Sequence, residues 1–198
     1  MAYRKKKRDE QHFHVAGELL FLCGAFLIGA LIGSIFASIF ESALPSAFYS
    51  IIDGSSSPSF KAFFLTNAFL LLVIFISAFV RYGLAAIPLT IATKGFSVSV
   101  AVTSYIKFYG IKGYLPALFS LFFTSFIVVL ALILLSCQAL EYSKAVSRKG
   151  SGAAFGRLRF DRGYFFSAVV SLLLIFIAEL LYCYLMPIFT LMTISFIQ

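Results

Sequence analysis

Residues 84–106 read LAAIPLTIATKGFSVSVAVTSYI, and this stretch decides the fold. At the α-helical rise of about 1.5 Å per residue, it is long enough to cross a hydrocarbon core of about 30 Å. Its one charged residue, Lys94, lies close to its middle. A cation near the bilayer centre costs about 2.5 to 3.5 kcal/mol on insertion scales, so it usually faces protein or a water-filled cavity. The stretch therefore predicts a membrane-spanning helix whose lysine is covered by other helices.

The partner that the sequence offers to Lys94 is Glu179. The other seven acids of the chain lie near a predicted membrane edge or outside the membrane. Asn67 is the main polar residue of another apolar stretch, and Gly95, next to Lys94, can loosen or break the helix and free backbone carbonyls near the charge. We therefore take Lys94, Gly95, Glu179 and Asn67 as the candidate intramembrane polar residues.

The composition identifies an integral membrane protein. Of 198 residues, 61% are hydrophobic and 12% are charged, which is more apolar surface than a soluble fold can hide. The net charge of +8 does not indicate a nucleic-acid partner, because eleven of the sixteen Lys and Arg residues form two clusters that flank membrane segments. Membrane topology explains such clusters better.

Apolar segments predict an all-α, polytopic helical bundle with about five transmembrane helices. We expect residues 1–14 to form a basic cytoplasmic tail and residues 15–198 to form a single transmembrane domain. The predicted spans are residues 15–40, 62–80, 84–106, 114–140 and 164–186, with a kink at Pro187 and a further apolar helix at 187–197.

The distribution of basic residues predicts the orientation. Along the chain, the tail and the four loops carry five, one, one, two and six Lys or Arg residues. Five spans with the N-terminus in the cytoplasm place both large clusters, the tail and the loop at 141–163, on the cytoplasmic side. A four-span alternative, in which the segment around Lys94 is re-entrant, separates the clusters and is disfavoured.

A GxxxG motif, Gly29-Ala-Leu-Ile-Gly33, marks a close helix contact in the first span. Glycine at this spacing lets two helix backbones approach each other within a membrane. We expect the motif to pack inside the bundle, and a homo-oligomer is the alternative.

No motif in the sequence brings together the residues needed for catalysis. Both histidines, His12 and His14, lie in the tail, and the chain has no phosphate-binding Gly-rich loop and no HExxH motif. The three cysteines lie within apolar segments without metal-ligand spacing. We therefore expect no enzyme, no cofactor and no metal site.

Two interpretations of Lys94 and Glu179 remain open. The favoured one is an intramembrane ion pair that fixes how the third and fifth helices dock. The other is a path for protons or ions, which would make the chain a small coupled transporter or a channel subunit using Lys94 and Glu179. A single pair does not by itself make a relay.

Seven short motifs occur in a recognisable order along nearly the whole chain. They are LCGAFLIGALIGS at 22–34, FK at 60–61, IP at 87–88, KGF at 94–96, FYGIKG at 108–113, SCQALEYS at 136–143 and AELLYCYLMPI at 178–188. Each motif is weak alone, but with their order and spacing the chain resembles the stage II sporulation protein M family.

The resemblance implies a multi-pass protein of the bacterial cytoplasmic membrane, in the mother cell around the forespore. Members of that family act as scaffolds for peptidoglycan-degrading partners, stage II sporulation proteins D and P, during engulfment. Besides membrane lipid, this chain would then contact such hydrolases. Its expected outer-loop contact residues are Lys107, Gly110, Lys112 and Gly113.

Overall fold

A computed structural model describes residues 2–39, 60–80, 82–109, 123–149 and 162–197. Within these ranges the chain is all helical. The helices are α1 (Ala2–Ile39), α2 (Phe60–Ser77), α3 (Gly83–Tyr109), α4 (Phe123–Lys149) and α5 (Arg162–Ile197). All five are long and apolar enough to cross a membrane. The predicted all-α bundle of five such helices is confirmed.

Three helices are longer than the sequence predicted. α1 begins at Ala2, so the expected tail at residues 2–14 is helical, and α4 continues to Lys149 through the start of the expected loop at 141–163. Neither extension contains glycine or proline, and both are rich in residues that tolerate the helix. α5 is one helix through Pro187 rather than two, because a long membrane helix can lose one backbone hydrogen bond without ending.

Lys94 and Gly95 do not break α3, which is helical from Gly83 to Tyr109. The sequence left open whether the helix loosens or breaks at this point, and the structure describes an unbroken helix. Gly95 instead lies against the backbone carbonyl of Phe26 on α1, so closely that a Cβ atom there would clash with the carbonyl oxygen. The glycine permits helix contact, and its cost within a helix is only about 0.5 to 1 kcal/mol.

The GxxxG motif packs inside the bundle. A Cβ atom on Gly29 would come closer than 3.0 Å to the carbonyl group of Ala92, and one on Gly33 would lie 2.5 Å from the carbonyl oxygen of Phe96. These contacts advance along α1 and α3 in the same direction, so the two helices are parallel. The motif thus serves the α1–α3 interface. The sequence predicted packing inside the bundle but not the partner helix.

Contacts at both ends of the bundle fix the helix directions. We call the end where the apolar part of α1 begins, at Gly17, the near end, and the end where α1 finishes, at Ile39, the far end. At the near end Glu18 forms a salt bridge with Lys144 near the end of α4. At the far end the Lys107 ammonium donates hydrogen bonds to the carbonyl oxygens of Ala37 (2.9 Å) and Ser38 (3.0 Å). α4 is therefore antiparallel to α1.

Aromatic contacts join α2 to α5 at both ends. At the near end the Tyr164 ring stacks on Phe75, with 5.2 Å between the ring centroids, and its hydroxyl donates to the Phe75 carbonyl oxygen at 3.3 Å. At the far end the Phe176 ring meets Phe60 and Phe64 edge-on, with centroid distances of 5.5 and 5.8 Å. The Phe63 ring also meets the Tyr182 ring, with 5.1 Å between the centroids. Asn67 and Glu179 lie between this contact and the Phe75–Tyr164 contact, so the two residues are held side by side.

α4 is the central helix of the bundle. Half of the residues in its apolar stretch are buried, compared with 17 to 28% of those in the apolar stretches of the other four helices. Its buried side chains Val128, Leu132 and Leu135 belong to the same hydrophobic core as Ile74 of α2 and Ile175 of α5. The large apolar residues on the outside of the bundle form the surface that a bilayer would cover.

Candidate functional site

Three helices bring Lys94, Asn67 and Glu179 together. The Lys94 ammonium on α3 donates a hydrogen bond to Asn67 Oδ1 on α2 at 2.7 Å. Asn67 Nδ2 donates in turn to Glu179 Oε1 on α5, and it also reaches the Phe63 carbonyl oxygen at 3.2 Å. We call these three side chains the Lys–Asn–Glu cluster.

The cluster lies deep in the bundle. Asn67 is 3% exposed and Glu179 is 5% exposed. Ten residues separate Asn67 from Ser77 and eleven separate Lys94 from Gly83, so both lie about 15 Å from the near end. Charges at this depth need compensating partners, because their desolvation is costly.

The Asn67 carboxamide is oriented to suit both charges. Its oxygen accepts from the cation and its nitrogen donates to the anion. The reversed orientation would set the amide oxygen against the carboxylate and the amide hydrogens against the ammonium. Asparagine therefore acts as a dipole placed between two opposite charges.

The expected partnership of Lys94 with Glu179 is thus present in bridged form. Among the described residues, the two side chains are joined through Asn67 rather than by a direct salt bridge. Sequence reasoning singled out Asn67 as intramembrane and polar but did not assign it the bridging role. The available signal was that Asn67 is the one asparagine of the chain and lies within an uncharged apolar stretch.

Gly95 is not a member of the cluster. It follows Lys94 in the chain, but it contacts α1, whereas the Lys94 side chain points to α2. Successive helical residues are about 100° apart around the axis, so neighbours in sequence face different helices. The structure therefore gives Gly95 a packing role.

A cleft of about 310 Å³ lies beside the cluster, between α2, α3, α4 and α5. All three cluster residues line it. Its other lining residues extend from the cluster level toward the far end and combine apolar side chains with hydroxyl groups. They are Ala62, Phe63, Thr66, Leu70, Ser97, Val98, Ala101, Thr124, Ser125, Val128 and Tyr182.

Two members of the cluster keep unused hydrogen-bonding capacity. An ammonium group has three N–H donors and a carboxylate has two oxygens. Within the described part of the chain, Asn67 is the hydrogen-bond partner of Lys94 and of Glu179, and it occupies one donor of the first and Oε1 of the second. Lys94 therefore offers further N–H donors, and Glu179 offers Oε2, beside the cleft.

Of the four residues expected to contact partners from an outer loop, the structure describes Lys107. Lys107 belongs to α3 and not to a loop, and its ammonium binds the carbonyl oxygens at the end of α1. It thus satisfies backbone groups that the helix terminus leaves without partners. Gly110, Lys112 and Gly113 lie outside the described residues.

Comparisons of the chain with models of protein families, with curated proteins and with solved structures find no match.

Proposed function

We propose that the chain is a multi-pass scaffold of the bacterial cytoplasmic membrane that positions peptidoglycan-degrading partners during endospore engulfment. The ordered motifs that resemble the stage II sporulation protein M family support the partners and the process. Stage II sporulation proteins D and P are the partners that the resemblance implies.

The observation that carries a scaffold role is the bridged Lys–Asn–Glu cluster. Each of its three side chains comes from a different helix, and Asn67 satisfies a half-buried cation and a buried anion at once. Such an arrangement fixes the relative positions of α2, α3 and α5. A rigid bundle is what a scaffold needs, since its partners are placed by the geometry of its surface.

The second candidate is a small transporter or channel subunit that uses Lys94 and Glu179. The cleft beside the cluster favours it, because solute sites in secondary transporters lie near the bilayer midplane. Reconstituted protein separates the two candidates. A scaffold leaves proton and solute flux across proteoliposomes unchanged, whereas a transporter raises it.

The scaffold proposal is tested in sporulating cells of the source bacterium. Fluorescently tagged wall hydrolases should lose their focus at the engulfing septum when this protein is deleted. Substitutions in the stretch 53–59 or at Lys112 should have the same effect while membrane insertion is retained, because changes in surface loops rarely cost much stability. Ser151→Ala, in the stretch 141–163 that the sequence predicts to be cytoplasmic, is the matched control. Normal hydrolase localisation in the deletion strain would reject the proposal.

A further inference from the structure

Two opposite charges line the cleft, and each retains free hydrogen-bonding positions. Lys94 presents N–H donors, and Glu179 presents a carboxylate oxygen, to one cavity. Glu179 is nine-tenths buried, so its charge is held at this place by the fold and is not free to seek water. Buried charges with open hydrogen-bonding positions are arranged to receive a complementary group.

We propose that this cleft binds a small zwitterion, whose anionic group accepts hydrogen bonds from Lys94 and whose cationic group donates to Glu179. The volume of about 310 Å³ is at the lower end of the range for ligand pockets, about 300 to 1,000 Å³. The bound molecule therefore has few heavy atoms.

Charge balance selects a zwitterion over a simple ion. An anion bound to Lys94 would be repelled by the nearby Glu179 carboxylate, and a cation bound to Glu179 would be repelled by Lys94. A ligand that carries both charges meets an opposite charge at each end. At Glu179, which is 5% exposed, the attraction is stronger than it would be in water.

The Asn67 carboxamide sets the spacing of the two ligand charges. One amide group spans the gap from Lys94 to Glu179. A ligand that lies alongside Asn67 and spans the same gap has its cationic and anionic groups separated by one or two carbon atoms, as in an α-amino acid. Apolar lining residues such as Val98 and Val128 can accommodate a small apolar substituent.

This ligand chemistry has two natural sources, a free zwitterionic solute and the headgroup of phosphatidylethanolamine, whose ammonium and phosphate are also close together. The inference does not rest on the scaffold role, since binding is measured on the purified full-length chain.

The test uses a cysteine in the cleft as reporter. Ser97→Cys is introduced after the three native cysteines are replaced by alanine, and the protein is placed in nanodiscs of phosphatidylcholine and phosphatidylglycerol. Glycine at about ten times its dissociation constant should slow alkylation of Cys at this position about tenfold, because about nine-tenths of the sites are then occupied. β-Alanine, whose charged groups are separated by two carbon atoms, should also protect, whereas acetate or methylammonium alone should not.

A second preparation distinguishes the source. Nanodiscs that contain phosphatidylethanolamine should show slow alkylation without added glycine if the headgroup is the ligand, and fast alkylation if the ligand is a free solute. Protection in either preparation supports the site. Absence of protection by glycine, by β-alanine and by phosphatidylethanolamine overturns it.

Three variants and one control connect protection to the cleft. Lys94→Met and Glu179→Gln should abolish it, whereas Glu18→Gln, an acid at the near end outside the cleft, should retain it. Ala101→Phe places a bulky side chain in the cleft and leaves the three cluster residues unchanged, so it should abolish protection even where the cluster variants are poorly folded. Full protection in Ala101→Phe, or equal protection by acetate, rejects the proposal.

Discussion

Lys94 and Asn67 are 27 residues apart in the chain, yet the Lys94 ammonium lies 2.7 Å from the Asn67 amide oxygen. The opposite end of the same amide group holds Glu179. A half-buried cation and a buried anion on different helices therefore depend on one neutral side chain. The energetic consequences of changing that side chain differ from those of changing a simple ion pair.

Asn67→Leu should destabilise the bundle more than a single lost hydrogen bond would. The substitution leaves both Lys94 and Glu179 without their partner, and stranding a buried charge typically costs about 3 to 5 kcal/mol. Denaturant unfolding in mild detergent measures the loss. Thr66→Val is the control, because the neighbouring Thr66 is exposed and its hydroxyl donates to its own helix at Ala62.

Lys94→Met and Glu179→Leu should each lower the amount of folded protein, and the double variant should recover part of that loss. Recovery is incomplete because Asn67 keeps an unsatisfied amide, which costs about 1 to 3 kcal/mol. Adding Asn67→Leu should recover most of the remainder. If the single effects simply add, with no recovery in any combination, the three side chains are not coupled.

Gly29→Ala should destabilise the contact between α1 and α3, whereas Gly24→Ala should not. A Cβ atom at Gly29 meets the Ala92 carbonyl at less than 3.0 Å, but one at Gly24 has nothing within 4 Å. Forcing extra atoms into a packed interface typically costs about 1 to 3 kcal/mol. Both variants gain the same helix propensity, so the difference between their unfolding free energies isolates the interface. Equal values would contradict the parallel packing.

Lys144→Met should lower stability, and exchanging the two charges should restore much of it. Lys144 compensates Glu18, whose other carboxylate oxygen, Oε2, is buried and has no hydrogen-bond partner. The Lys144 side chain is 44% exposed, so solvent screens the pair and the expected cost is about 1 kcal/mol. The unfolding free energy of the Glu18→Lys and Lys144→Glu double variant should exceed that of either single variant.

Cysteine labelling tests the predicted orientation. With the native cysteines replaced, Ser56→Cys should react from outside the intact cell, and Ser151→Cys should react only after permeabilisation. This pattern follows from the two basic clusters, since positively charged loops remain in the cytoplasm. The reverse pattern would contradict a cytoplasmic N-terminus.

The number and class of the helices could be predicted because they depend on local properties. Apolar length marks each span, and the contrast between apolar and basic stretches separates the spans. Helix ends were less predictable. The charged residues at the start of α1 and the end of α4 were predicted to form a tail and part of a loop. These stretches nevertheless contain nothing that stops a helix.

The cluster could be predicted only in part. Lys94 and Glu179 were recognisable because a charge within an apolar stretch is unusual, but Asn67 carries no charge and its bridging geometry depends on how α2 packs between α3 and α5. Likewise, Gly95 next to a lysine suggested a broken helix, whereas the close approach of Phe26 accounts for it. Such contacts belong to tertiary packing and leave no local signature.

The parallel pairing of α1 with α3 limits how early α1 can pack while the chain is being synthesised. α1 is synthesised first, but the backbone that its glycines contact follows only after α2, and the lysine that compensates Glu18 arrives later still, on α4. The first helix must therefore wait in the lipid, or beside the insertion machinery, until about three-quarters of the 198 residues have been translated. A nascent chain arrested after α2 would expose the glycine face of α1 and the carboxylate of Glu18, which is buried in the complete bundle. Membrane quality control can recognise such features.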